Sequence, residues 1–201
     1  MKKQNLRFMA LAYLLALVVL FMAGCVRLAK GAYYENKGLR VHQQLGYHDL
    51  EPVGIIPFQS NAKDGKDWFV STDADPQFHL KQEVYLESVQ LDMQQVGFGG
   101  ATVLYWKTPG QQDFSEAQSV YGREIAPGSF LYELNGVKVS EIRLDPDSAG
   151  GIITRFDGLT LNPQRNFAWA FCVGWKGLLM LLTVPLFLVA AVLELKVIFK
   201  K

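Results

Sequence analysis

The two ends of the chain constrain its fold more than anything between them. "FMALAYLLALVVLFMAGCV", Phe8 to Val26, holds no charge. A helix rising about 1.5 Å per residue crosses a hydrocarbon core roughly 30 Å thick with such a run, so the block reads as a membrane span or an export signal. "GWKGLLMLLTVPLFLVAAVL", Gly174 to Leu193, carries one charge, Lys176, near an end where its ammonium reaches the headgroups. Trp169 and Trp175 supply interfacial aromatics, and Pro185 sets a mid-span kink. Two transmembrane helices are expected, with the lipid bilayer as their partner.

Charge orients this hairpin only weakly. Lys2, Lys3, Arg7, Lys196, Lys200 and Lys201 flank the spans on one side, and Arg27, Lys30, Lys37, Arg40, Arg165 and Lys176 on the other. The short basic leader before an apolar run decides for cytoplasmic termini and an extracytoplasmic middle. A formal net charge of +1, with no basic stripe interleaved by aromatics, sets nucleic acid aside. Cys25 and Cys172 would meet the same leaflet. Three readings stay open for Cys25: lipidation, since "FMAGC" resembles a lipobox with Met22 where Leu is usual; a disulfide to Cys172; or a small apolar side chain in a helix.

The middle is polar and rich in strands. Residues 30–66 show no sustained period and read as a linker packed on the domain that follows. From Asp67 short runs of β-formers alternate with turn residues. In "EVYLESVQLDM", Val89, Leu91 and Met93 fall on one face and Ser88, Gln90 and Asp92 on the other. "ATVLYW", "AQSVYGREI", "SFLYEL", "KVSEIRL" and "GIITRF" continue the series, punctuated by "TPGQQD", "APG", "NG" and "DPDSAGG". Short strands at regular spacing, with no long amphipathic helix among them, predict a mainly β fold: an antiparallel β-sandwich or jelly roll over 67–164. The N-terminal helix or leader then occupies 1–29, and the C-terminal helix with a short tail occupies 165–201. Asp75-Pro76 and Asp145-Pro146 are expected to cap turns with their carboxylates, Arg143 to form a surface pair with Asp145, and Gly150 and Gly151 to supply positive φ.

"STDADPQFHL", "VQLDM", "ATVLYWKTPGQQDFSEAQSV" and "SEIRLDPDSAGGIITRFDGLTL", in that order, resemble the jelly-roll domains of bacterial cell-surface polysaccharide proteins, often fused or adjacent to membrane glycosyltransferases. The resemblance covers roughly Asp67 to Leu161. It implies a carbohydrate-binding-module-like sandwich on the outer side of the bacterial inner membrane. The implied partners are glycan, or a membrane glycosyltransferase, polymerase or transporter. No transferase domain accompanies it here, so an accessory role in envelope polysaccharide or glycolipid assembly is expected, with a protein-docking module of the envelope as the alternative.

Catalytic motifs add little. His42, His48 and His79 lack zinc-ligand spacing, so no metal and no cofactor is expected. Ser60 to Lys63 matches S-x-x-K without its companion elements, and "GFGG" lacks the phosphate-loop lysine. Glu83, Glu87, Glu116, Glu133 and Glu141 supply carboxylates without showing a cleft, so the expectation is a protein that is not an enzyme. The aromatics carry the binding hypothesis. Tyr105 and Tyr121 are expected in the core. Trp106 ends a strand just before a polar turn, and with Gln111, Asp113 and Glu116 it is the candidate sugar site, a stacking ring beside hydroxyl partners; core packing is the competing reading for Trp106.

Overall fold

A computed structural model describes residues 3–59, 65–164, 170–171 and 174–198. The chain divides into a helical unit, Met1–Ala32 with Arg165–Lys201, and a β-unit, Tyr33–Gln164.

In the helical unit α1 runs Lys3–Asn36 and α2 runs Trp175–Ile198, continuing through Pro185. Over Leu6–Asn36, α1 is long and apolar enough to cross a membrane; in α2 the described apolar stretch is the shorter Gly177–Val192. The Tyr13 hydroxyl donates to the Leu182 carbonyl at 3.0 Å, and the Phe21 and Phe171 rings stack at 5.5 Å. Cys25 is exposed on α1. Cys172, Trp169 and Ser60 to Lys63 lie outside the described residues, as do the side chains of Trp175 and Lys176.

The β-unit is two antiparallel sheets packed face to face. Its strands are β1 (Gln43–Leu45), β2 (Glu51–Val53), β3 (Ile55–Pro57), β4 (Asp67–Ser71), β5 (Gln77–Leu80), β6 (Val84–Val96), β7 (Val103–Lys107), β8 (Ser119–Tyr121), β9 (Arg123–Ala126), β10 (Ser129–Val139), β11 (Glu141–Asp145) and β12 (Ile153–Leu161). One sheet has the order β3-β4-β12-β6-β10-β9, with β1 also paired to β12; the other is β2-β5-β11-β7-β8. The segment 30–66, expected as a linker, thus supplies β1, β2 and β3. Strands of three ladder pairs leave almost no periodicity to read.

The alternation in β6 holds: Val89, Leu91 and Met93 are buried between the sheets. Opposite them lie Leu104, Ile142 and Leu144, with Tyr47, Phe69, Phe78 and Phe156 clustered at ring-centroid distances of 5.2 to 6.3 Å. Each such ring taken fully out of water contributes roughly 1.5–3 kcal/mol.

Two turn signals act differently from expectation. Asn135-Gly136 does not end a strand; it makes a bulge inside β10, where the register to β6 shifts between Glu133 and Val137. Both residues have positive φ, 59° and 84°, and a Cβ on Gly136 would collide with the Tyr85 hydroxyl, so only glycine fits there. "KVSEIRL" is two strands: the chain changes sheets at Ser140, whose amide donates to the Lys107 carbonyl. Gly150 and Gly151 do adopt positive φ.

The turn-capping carboxylates are Asp73 and Asp147, not Asp75 and Asp145. Asp73 accepts from the Asp75 amide, and Asp147 from the Ala149 and Gly150 amides. The carboxylates before the prolines are left to pair with Arg143. The two leads of the β-unit are locked together at Asn162. Its side-chain amide donates to the Val41 and Tyr85 carbonyls, its Oδ1 accepts from the Glu87 amide, and the His42 Nδ1 lies 2.9 Å from its carbonyl.

Candidate functional site

Alternation along β5, β7 and β11 sends one half of each strand to the core and the other half to solvent. In β11 Ile142 and Leu144 go in, while Glu141, Arg143 and Asp145 line the outer side. Register then sets Glu51, His79, Arg143, Tyr105 and Ser119 in one row across the five strands. Asp145, Val103 and Tyr121 form a second row, and Glu141 and Lys107 a third.

These side chains form a grid of paired charges. Glu141 accepts from Lys107 Nζ at 2.8 Å, and His79 Nδ1 lies 3.2 Å from its other oxygen, with His79 Nε2 2.9 Å from Gln77. Arg143 grips Asp145 with two nitrogens, at 2.8 and 2.7 Å, and reaches Asp75 at 2.5 Å. The expected surface pair is in fact partly buried, with Asp145 only 8% exposed. At that depth a bidentate fork stabilises far more than an exposed contact does.

Burial pushes Glu141 up, but the hydrogen bonds and charges of Lys107 and His79 outweigh it and hold the carboxyl below the ordinary glutamate range. For Asp145 burial is the largest effect and raises it, against the pull of Arg143. Burial would lower Arg143, but the hydrogen bond and charge of Asp145, with Asp75, raise it.

Aromatic rings stand among these charges. Arg143 lies 5.0 Å from the Tyr105 ring centroid and Lys107 4.3 Å from that of Phe114, whose edge meets His79. Tyr105 and Tyr121, expected in the core, are both on the outer side, and Tyr121 is 69% exposed. Burial raises the Tyr105 hydroxyl most, with the charge of Glu116 adding to it.

The four residues chosen from sequence are not brought together. Trp106 shares the inner side of β7 with Leu104, opposite Ile142, and packs half-buried on the core. Gln111 is spent on its own loop: Oε1 accepts from the Thr108 amide and hydroxyl, and Nε2 donates to the Asp113 carbonyl. Asp113 is exposed in that loop. Glu116 reaches the outer face, with the Tyr105 hydroxyl 3.4 Å from both carboxylate oxygens.

Of the residues that sequence reading missed, Glu141 and Arg143 lie in "EIRLD", Tyr105 and Lys107 in "VLYWK", and His79 in "QFHL". "EIRLD" alternates polar with apolar, so its apolar half fixes which side faces water, whereas "VLYWK" offers only the closing Lys107 as a polar mark. Among the described residues no group of three or more His, Cys, Asp or Glu could hold a metal ion.

No protein-family model and no curated protein matches the chain. Among solved structures it is similar to a low-affinity xylan-binding module from Roseburia intestinalis, at 12% identity over 65% of this chain and 98% of that one, with a TM-score of 0.39. A Clostridium stercorarium carbohydrate-binding module in complex with cellobiose matches at 10% identity over 61% and 94%, TM-score 0.39. A family 29 carbohydrate-binding module matches at 12% over 60% and 90%, TM-score 0.41. Overlap of this depth assigns the chain to no family.

Proposed function

We propose that this protein is a membrane-anchored glycan-binding accessory protein of the bacterial envelope, which holds sugar on the outer face of its five-stranded sheet. The observation that carries the reading is the grouping of Tyr105, Tyr121 and Phe114 with Glu116, His79 and Arg143 on one solvent-facing surface. Sugars offer C–H faces to rings, and hydroxyls to carboxylates, guanidinium and imidazole. A surface of this kind binds them without bond chemistry.

Anchoring rests on α1, whose apolar length suits a bilayer. In this reading α2 crosses as well, both termini are cytoplasmic, and the β-unit is extracytoplasmic in the inner membrane. There it serves a glycosyltransferase, polymerase or transporter of polysaccharide or glycolipid assembly.

The pair Glu141 and Asp145 does not suit glycoside hydrolysis. Glu141 is lowered and Asp145 raised, the kind of divergence an acid–base pair needs. They stand four residues apart on one strand, about 13 Å at roughly 3.3 Å per residue, whereas glycosidase carboxylates lie about 5–9.5 Å apart. Each is also engaged by a cation.

The test is binding of the full chain, in detergent or nanodiscs, to a glycan array, repeated with Tyr105→Ala and with Tyr121→Ala. Stacking losses of roughly 1–3 kcal/mol per ring predict a fall of about tenfold in either folded variant. Unchanged binding in both would remove the face from consideration.

A further inference from the structure

The charges on this face select among glycans, an inference that rests on the glycan reading above. Around the five-stranded sheet's outer side stand five carboxylates, Glu51, Asp75, Glu116, Glu141 and Asp145, and three permanent cations, Lys81, Lys107 and Arg143. None of the three cations is idle. Lys81 is 2.8 Å from Glu51, Lys107 2.8 Å from Glu141, and Arg143 2.5 Å from Asp75 and 2.7 Å from Asp145. The surplus is therefore negative, and Glu116 presents its carboxylate beside the Tyr105 hydroxyl at the exposed rim.

We infer that the face binds glycans free of acidic groups, neutral sugars above all, and rejects those bearing uronate, phosphate or sulfate. An acidic sugar could draw Lys107 or Arg143 away only by leaving a partly buried carboxylate uncompensated, would find at Lys81 only an exposed ammonium already shared with Glu51, a contact that contributes little, and would meet the repulsion of Glu116. A hydroxyl does the opposite. It donates to a carboxylate that is already ionised, a short and strong contact, and asks no ion pair to break. Lys107 also holds Phe114 and Arg143 holds Tyr105 through their ring faces, so removing either cation to serve an anion would loosen the rings a sugar stacks on.

The experiment is an array carrying matched neutral, uronate, phosphorylated and amino-sugar glycans, probed with the full chain at low and at physiological salt. The expected result is neutral glycans bound at least tenfold more tightly than their acidic counterparts at low salt, the gap narrowing as salt screens the repulsion, with amino sugars bound no worse than neutral ones. Glu116→Lys should narrow the gap between neutral and acidic glycans without unfolding the protein, since Glu116 is exposed. Acidic glycans bound as well as or better than neutral ones would overturn the charge inference and leave glycan binding standing. Binding to none of the four classes would instead bring down the glycan reading itself.

Discussion

The two sheets of the β-unit are alike within and unlike without. Both send aliphatic and aromatic residues inward to one core. Outside, the seven-stranded sheet carries an apolar ladder, Ile56, Val70, Ile153 and Val96 in register across four strands, with Val96 60% exposed, beside a part-buried pair of Arg155 and Asp157 next to Trp68. The five-stranded sheet carries rings embedded in ion pairs. Folding dictates the inner residues of both and neither set of outer ones. A surface whose charges are paired, part-buried and threaded with aromatics goes beyond what a core requires, and that excess is the reason to look for function there.

Phe78 is fully buried on the inner side of β5, next to outward-facing His79. Phe78→Ala should cost about 3–5 kcal/mol. Urea denaturation followed by tryptophan fluorescence reads this, and a loss below about 1 kcal/mol would mean that the two inner faces do not form one core.

The next largest effect separates the outer faces. Arg143→Met leaves Asp145 buried without its partner and should destabilise by about 2–3 kcal/mol, with much of the loss recovered by adding Asp145→Leu. Ile153→Thr on the other sheet should cost under about 1 kcal/mol, because its side chain is only half-buried on the outer side. Equal costs at the two positions would erase the distinction.

Glu141 supplies a smaller, pH-dependent effect. Its folded carboxyl lies below the ordinary range, so as the pH falls the unfolded chain takes up the proton first. The stability it contributes is complete above the unfolded value, about 4.3, and is lost as the pH falls through the lower folded one. Glu141→Gln should therefore flatten the acid limb of melting temperature against pH. An acid limb identical to the parent's would show that Lys107 and His79 do not hold it. Smallest of all is Lys81→Ala, which removes an exposed pair with Glu51 and should leave melting unchanged within error.

How much of this was legible in the sequence differs between the core and the surface. β6 is readable because its stretch from Ser88 to Met93 alternates polar with apolar, and Val89, Leu91 and Met93 are the buried half. β1, β2 and β3 are not, since three-residue strands show one and a half periods. The Asn135-Gly136 bulge looked like a hairpin because the same dipeptide suits both, and only pairing to β6 on either side of it distinguishes them. The candidate site is hard to read for a related reason. "VLYWK" does not show which half faces water, so Trp106 has two readings, stacking ring or core, and Tyr105 is expected in the core where β7 puts it outside. Leu104 shares a side with Trp106, and that was the available cue. Glu116 was found because a turn-rich loop has few ways to hide a carboxylate.

The central claim, that one outer face binds and the other does not, is tested most directly by titrating a neutral glycan from the array calorimetrically into three forms of the full chain in nanodiscs: parent, Tyr121→Ala and Val96→Ser. Both substituted side chains are highly exposed, so both variants should fold as the parent does. Tyr121→Ala should bind with a Kd about tenfold weaker and Val96→Ser with an unchanged Kd. A Kd that moves with Val96 and not with Tyr121 would contradict that claim.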